Sequence, residues 1–321
     1  MPSEFELIRR YFTHPVRHTV LGVGDDAALL RLRRGIDLAV STDMLVEGRH
    51  FLRGADPRLL GHKALAVNLS DMAAMGATPR WVTLSLALPR ADARWLRGFT
   101  AGFMALARAH DVDLVGGDTT RGPLNVCVQI MGEVPAGQAL RRDGARIGDD
   151  VWVSGELGDA ALSLAALDGR IRLAPRELER AKRRLDVPTP RLALGATLRG
   201  VAHSAIDISD GLIADLGHIC ERSRVAATVE LSRLPASPVM RRHLDHPAAT
   251  GARLAGGDDY ELCFTASARR RARIERAGAR LGLPVTRIGR IIAARRDARV
   301  TVLGADGRKL ALPGRGFDHF T

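Results

Sequence analysis

Aspartates recur through this sequence, almost every one at the junction of an apolar run and a Gly-bearing turn. Asp25 and Asp26 follow Gly22-Val23-Gly24, and Asp43 ends Ser41-Thr42-Asp43. Asp71 lies in NLSDMAAMG, Asp118 follows Gly116-Gly117, Asp207 and Asp210 bracket Ser209 in DISDGL, and Asp258 and Asp259 follow Gly256-Gly257. Turn chemistry accounts for any one of them, because Asp caps backbone amides and tolerates unusual dihedral angles. It accounts poorly for such recurrence in one chain. Carboxylates that converge without basic partners repel each other and rise in pKa, a cost that a hard divalent cation removes. Magnesium takes oxygen ligands and is usually bound through a few carboxylates plus substrate phosphates. Ser41, Thr42, Ser70 and Ser209 add neutral oxygens beside the acids, and Cys and His at zinc spacing are missing. The residue types point to a multi-magnesium phosphate site for phosphoryl transfer, where catalysis is mostly positioning and charge neutralisation.

The common nucleotide signatures are not there. The sequence has no Gly-Lys pair and so no GxxxxGK[ST] loop, and it lacks the HRD and DFG motifs of protein kinases. LGVGDDA holds two of the three glycines of GxGxxG, which is weak support for a dinucleotide fold. Without a P-loop lysine, phosphate charge must be met by metal, backbone amides and Arg. GGDTTRG offers amides and Arg121, and Arg142 in RRDGA is a second candidate.

Elements must position these groups. Thr19–Gly24, 37–42, 81–88 and 125–134 read as strands, rich in Val, Leu and Ile. Asp56-Pro57 is a helix start, Asp as N-cap and Pro at the first helical position, for a helix ending near Gly76. Residues 91–110 carry Trp95, Phe103 and Leu106 at helical spacing. On the first of these helices Asn68 and Asp71 share a face at i, i+3, so Asn68 either serves the site or orients Asp71. PAGQ at 135–138 is a turn-rich break and marks a domain boundary, giving domains 1–138 and 139–321. In the second, VWVSG and VAHSAI read as strands, 175–187 as a charged, solvated surface helix, and 268–282 as a basic amphipathic helix.

Composition sets the outer bounds. The 321 residues fit two domains, and 46% apolar with 26% charged residues can bury a sizeable core. The net charge is +12, with Lys63, Lys182 and Lys309 as lysines and the rest of the 48 basic residues Arg. Aromatics are only 4%, which argues against nucleic-acid binding and leaves attraction of anionic small molecules. No apolar run is long enough to span a membrane, and the start carries Glu4 and Glu6 rather than a signal core, so the cytoplasm is expected. Cys127, Cys220 and Cys263 are far apart and read as buried thiols.

GDDAAL, STDMLVEGRHF, KALAVNLSDMAAMGA, GGDTTRG, AIDISDGL, GGDDYELCFT and the terminal GFDHF, in this order, resemble the thiamine-monophosphate kinase family. The resemblance runs from about residue 4 to the C-terminus and extends to a wider superfamily with aminoimidazole ribonucleotide and selenophosphate synthetases. It implies ATP-dependent, magnesium-assisted phosphorylation of thiamine monophosphate (TMP) to thiamine diphosphate. It also implies an α+β homodimer of two domains, each a mixed β-sheet with packed helices, with the N-terminal domains pairing their sheets. Residues 1–138 would then bind ATP and magnesium and dimerise, and 139–321 would complete the nucleotide and substrate site.

Carried over by position, the resemblance makes Asp26, Ser41, Thr42, Asp43, Asp71, Asp118, Asp207 and Asp210 magnesium ligands. Asp71, Asp118 and Asp210 are the expected catalytic residues. Gly117, Asp118, Arg142 and Ser209 would contact ATP. His50 and Asp258 would contact TMP, with Asp258 standing where Glu is frequent. Phe317, where Tyr is common, keeps a stacking face and loses the hydroxyl. The acids Asp26, Asp43, Asp71, Asp118, Asp207 and Asp210 are expected to form one metal cradle for the triphosphate. The alternatives are another ATP-dependent enzyme of the superfamily and a non-catalytic nucleotide or metal sensor.

Overall fold

The helix announced by Asp56-Pro57 is capped as expected. Asp56 Oδ1 accepts from the amides of Arg58 (2.7 Å) and Leu59 (3.3 Å), and Pro57 takes the first helical position. The computed structural model describes residues 4–294 and 299–311, and Phe317 lies outside them. The chain divides into two units, one of Met1–Met72 with Ala77–Gly137, the other of Ala73–Gly76 with Gln138 onward.

In the first unit, a helical turn α1 (Glu4–Leu7) runs into a π-helical turn (Ile8–Phe12). A ribbon of β1 (Thr19–Leu21) and β2 (Leu29–Leu30) follows, then β3 (Ile36–Val46), α2 (Pro57–Ala74), β4 (Thr78–Leu88), α3 (Ala93–Ala109), β5 (Asp113–Arg121) and β6 (Asn125–Pro135). The main sheet has the order β3-β6-β4-β5. β3/β6 and β6/β4 are antiparallel, and β4/β5 are parallel through the α3 crossover. Val82, Leu84, Leu86, Val126, Val128 and Ile130 are buried on one face, with the near-continuous apolar surface of α2 and the stripe of α3 completing the core. Glycines let α2 and α3 meet backbone to backbone: a Cβ on Gly61 would stand 2.0 Å from Phe99 O, and one on Gly102 1.9 Å from Arg58 O. Gly102→Val should therefore part the helices and cost about 3 kcal/mol, read in urea unfolding as a lower midpoint at unchanged slope.

The second unit holds β7 (Asp150–Ser154), α4 (Asp159–Leu167), α5 (Pro175–Asp186), α6 (Leu192–Leu198), β8 (Ser204–Asp207), α7 (Leu212–Ser223), β9 (Val225–Glu230), α8 (Pro247–Ala255), β10 (Leu262–Ala266), α9 (Arg271–Leu281), β11 (Val285–Ala293) and β12 (Val300–Leu303). Its six-stranded sheet has the order β12-β9-β11-β7-β10-β8, parallel only at β12/β9. Both faces are covered. Val151, Val153, Ile206 and Cys263 pack with Leu212, Leu216 and Ile219 of α7, while Trp152, Ala205, Leu262 and Phe264 pack with Leu194 and Leu198 of α6 and Ile274 of α9. Strands covered on both sides are apolar throughout, which is why VWVSG shows no alternation.

Three sequence expectations change here. The strand over Thr19–Gly24 is only Thr19–Leu21. Asp43 and Asp118 do not end strands: each lies inside one, because β3 pairs with β6 along its whole length and β5 continues beside β4 through its glycines. The charged helix at 175–187 is α5, and it is not wholly solvated. Ala181 and Leu185 are buried, and Arg184 reaches into the interior.

Candidate active site

In the first unit, strand alternation sorts the expected ligands. Ser41 and Asp43 share the β3 face that carries buried Leu45, and there Ser41 Oγ donates to Asp71 Oδ2 of α2 at 2.5 Å. Thr42 points to the opposite face, where Gln129 Nε2 donates to Thr42 Oγ1 (3.4 Å). The structure thus sets Ser41, Asp43 and Asp71 on one side of the sheet and the Thr42 hydroxyl on the other. Asn68 turns to its own helix: Nδ2 donates to Ala64 O (3.1 Å), and Oδ1 is buried without a partner among the described residues. It is Ser41, not Asn68, that orients Asp71.

Gly116-Gly117 is not a turn: both glycines continue β5 just past a bulge at Val115. The β4/β5 register passes from Val82↔Leu114 to Thr83↔Gly116, leaving Val115 over. Gly117 has φ +148°, and a Cβ on it would stand 1.9 Å from Leu84 O. Asp118 follows, paired with Ser85, which puts it on the Thr42 side of the sheet. A cavity of about 590 Å³ opens beside it, lined by Asp25, Asp26, Gly117 and Asp118, with Ile8 and Phe12 as an apolar wall. Asp25 Oδ1 accepts from the Asp26 amide (3.0 Å), a turn-shaping bond. His50 sits in the turn after β3, where the Val46 amide donates to its Nδ1 (3.0 Å). That bond assigns the ring proton to Nε2.

In the second unit, DISDGL is organised by a residue that sequence reasoning missed. Asp215, in the first turn of α7, accepts on Oδ2 from the amides of Ser209, Asp210 and Gly211, each at 3.1 Å. Burial, with Asp207 and Asp210 alongside, pushes the Asp215 carboxyl up to about 8 against those three donors. The clue was an acid one turn into a helix, where amides lack partners.

The Gly256–Glu261 segment lies against the same loop. The amides of Asp258 and Tyr260 donate to Ser209 O (2.9 Å) and Ile208 O (2.8 Å), and the Ile208 amide donates to Glu261 O (2.8 Å). Asp259 is buried and accepts from the Gly158 amide on both oxygens (2.9 and 3.0 Å), and burial pushes its pKa well up. Glu261 is fully buried. Arg184 (2.5 Å), Arg191 and Ser154 (2.6 Å) all donate to it. Nothing local predicts this clamp, because its members are distant in sequence. Glu261→Ala should cost about 3–5 kcal/mol, since it leaves two guanidinium groups facing an interior without their anion, and a denaturant melt would show it. Arg142 is exposed, and its carbonyl accepts from Ser223 Oγ (2.8 Å).

The atoms expected to ligate a metal are all carboxylate or hydroxyl oxygens. They come in ones and twos: among the described residues no three His, Cys, Asp or Glu side chains are gathered for a metal ion. Such a set fits magnesium, which keeps waters and fills its shell with substrate phosphates, better than a closed protein cage.

Fold and site together define a class. Residues 24–134 match the family model described as AIR synthase related protein, N-terminal domain. The relatives narrow this. The chain is 46% identical over 327 residues to thiamine-monophosphate kinase of Salmonella typhimurium, covering 99% of this chain and 98% of that one. The crystal structure of thiamine-monophosphate kinase from Stenotrophomonas maltophilia K279a is 49% identical, with TM-score 0.84 over 91% of this chain and 92% of that one. A structure of AaThiL complexed with AMPPCP and TMP is 32% identical, with TM-score 0.77 over 93% and 92%. The chain belongs to the thiamine-monophosphate kinase family.

Proposed function

We propose that this chain transfers the γ-phosphoryl group of ATP to the phosphate of TMP, giving thiamine diphosphate and ADP. The observation that carries this reading is kinship along nearly the whole chain with kinases of that name, one of them held with AMPPCP, an ATP analogue, and TMP. The acceptor phosphate of TMP is largely ionised near neutral pH, so no strong general base is needed. An oxygen of that phosphate forms the new bond to the γ-phosphorus in line as the bond to the β–γ bridging oxygen breaks, with no phosphoenzyme.

Magnesium, when bound, neutralises phosphate charge and draws electron density from the γ-phosphoryl group. Ser41, Asp43 and Asp71 would hold ions on one side of the first sheet, Asp26 and Asp118 at the cavity, and Asp207 and Asp210 at DISDGL. More than one ion is implied, because the sheet separates the first two groups. The Thr42 hydroxyl, between Val40 and Met44 on the other face of β3 and accepting from Gln129 Nε2, stands apart from the Ser41–Asp43–Asp71 group expected to share it. The backbone at Gly117, with Ser209 and Arg142, meets the nucleotide. His50 offers its Nε2–H to a phosphate oxygen, and Asp258 faces the cationic thiamine moiety. Phe317 is assigned to the substrate on sequence grounds. Adding TMP to the chain with ATP and magnesium should release ADP and form thiamine diphosphate one for one. Binding of ATP with no ADP release would mean a sensor instead.

We assign the working form to a homodimer in the cytoplasm. Leu38, Val40 and Met44 are 42%, 53% and 55% exposed and share the uncovered face of β3, an apolar strip that a second copy would bury. The cysteines are free thiols, in keeping with a reducing compartment, and no described helix is long and apolar enough to cross a membrane. Val40→Asp should convert a dimer to a monomer in sedimentation; an unchanged sedimentation coefficient would contradict the assignment.

A further inference from the structure

The segment that carries Asp258 is shaped in an unusual way. Asp258 has φ +67° and Tyr260 φ +50°, left-handed conformations that side chains other than glycine rarely adopt. Such backbone persists only where its surroundings over-determine it, and it gathers at functional sites. Here the surroundings are plain. Between and after the two left-handed residues, Asp259 and Glu261 turn inward and are tied down, Asp259 by the Gly158 amide, Glu261 by Arg184, Arg191 and Ser154. The left-handed pair meets: Tyr260 Oη donates to Asp258 Oδ1 at 3.0 Å. Tyr260 itself is buried, at 9% exposure, so its hydroxyl has little freedom.

We propose that Tyr260, held in place by the Arg184–Glu261–Arg191 clamp, is a positioning residue that fixes the Asp258 carboxylate for the cationic part of TMP. The proposal rests on the reading that Asp258 meets the substrate. One carboxylate oxygen is committed to the Tyr260 hydroxyl, which sets the plane of the carboxylate. Because Asp is short, its aim depends on this backbone and this bond more than a longer acid's would. The clamp makes the arrangement exist before substrate arrives, so that binding does not have to order the loop. Tyr260 touches no reacting atom, and its effect belongs to TMP binding alone.

Steady-state kinetics with TMP and ATP varied separately tests this in the full-length chain. Tyr260→Phe should raise KM for TMP about tenfold while kcat and KM for ATP stay within about twofold. Asp258→Ala should raise KM for TMP at least as far. The double variant should be no worse than Asp258→Ala, because the hydroxyl acts through the carboxylate. Glu261→Gln, which keeps the anchor's shape but leaves Arg184 and Arg191 without their anion, should lower the urea midpoint and, at denaturant-free conditions where the chain stays folded, show the same rise in KM for TMP with kcat and KM for ATP within about twofold. An unchanged KM for TMP in Tyr260→Phe, with a raised one in Asp258→Ala, overturns the positioning role and leaves the substrate role of Asp258 intact. A flat response in Asp258→Ala overturns both. Additive losses in the double variant, or equal losses in kcat and both KM values in the single ones, also overturn the proposal.

Discussion

Asp71→Asn is expected to cut turnover of TMP about 10²–10³-fold, the scale seen when one preorganised charge-stabilising group is removed. The fold should survive. Asn keeps an oxygen for the Ser41 hydroxyl, which donates to Asp71 Oδ2 at 2.5 Å, and α2 around it is packed by Leu65, Leu69 and Met72, all essentially unexposed. What the substitution removes is the negative charge that, on the proposed reading, would pair with a magnesium ion on the Ser41–Asp43 side of the sheet. Initial rates at limiting and saturating magnesium, beside a thermal melt by circular dichroism, check both halves. Near-wild-type activity at limiting magnesium would contradict the metal role.

Gly117→Val should be as damaging by a different route. The site has no room for a Cβ, which would meet Leu84 O at 1.9 Å, and the residue holds φ +148°. A branched side chain must push β5 from β4 at the bulge that displays Asp118. Activity should fall at least about 10²-fold because a displacement near 1 Å at a positioning group is enough. Stability should fall by about 3 kcal/mol or more from overpacking and strain. Activity assays with a urea melt report these together. Full activity in a stable Gly117→Val chain would show that the bulge does not position the site.

Local chemistry was the legible part of this molecule. Asp56-Pro57 and the apolar spacing of 93–109 announced α2 and α3, because caps and periodicity are written within a few residues of where they act. β3 runs on past the expected end at Thr42: Asp43, Met44, Leu45 and Val46 continue the strand because β6 pairs with them, and pairing across many residues leaves no local mark. The same holds for the site. That Asp43 and Thr42 face opposite ways follows from strand alternation, but only once the strand is known to run on past Thr42. Gly116-Gly117 read as a turn because glycine serves turns and bulges alike. The Arg184–Glu261–Arg191 clamp joins groups up to 77 residues apart and left only a charged helix and an acid in YEL as its trace. The strain at Asp258 and Tyr260 had no signal, since neither residue type favours a left-handed backbone strongly enough to announce it.

The most direct test of the account is the rate of thiamine diphosphate formation as free magnesium is raised from a chelator-stripped start, at saturating ATP and TMP. No product is expected without divalent cation, and a steep rise on adding it, with one ADP per thiamine diphosphate. Product forming at an undiminished rate in excess chelator would contradict it.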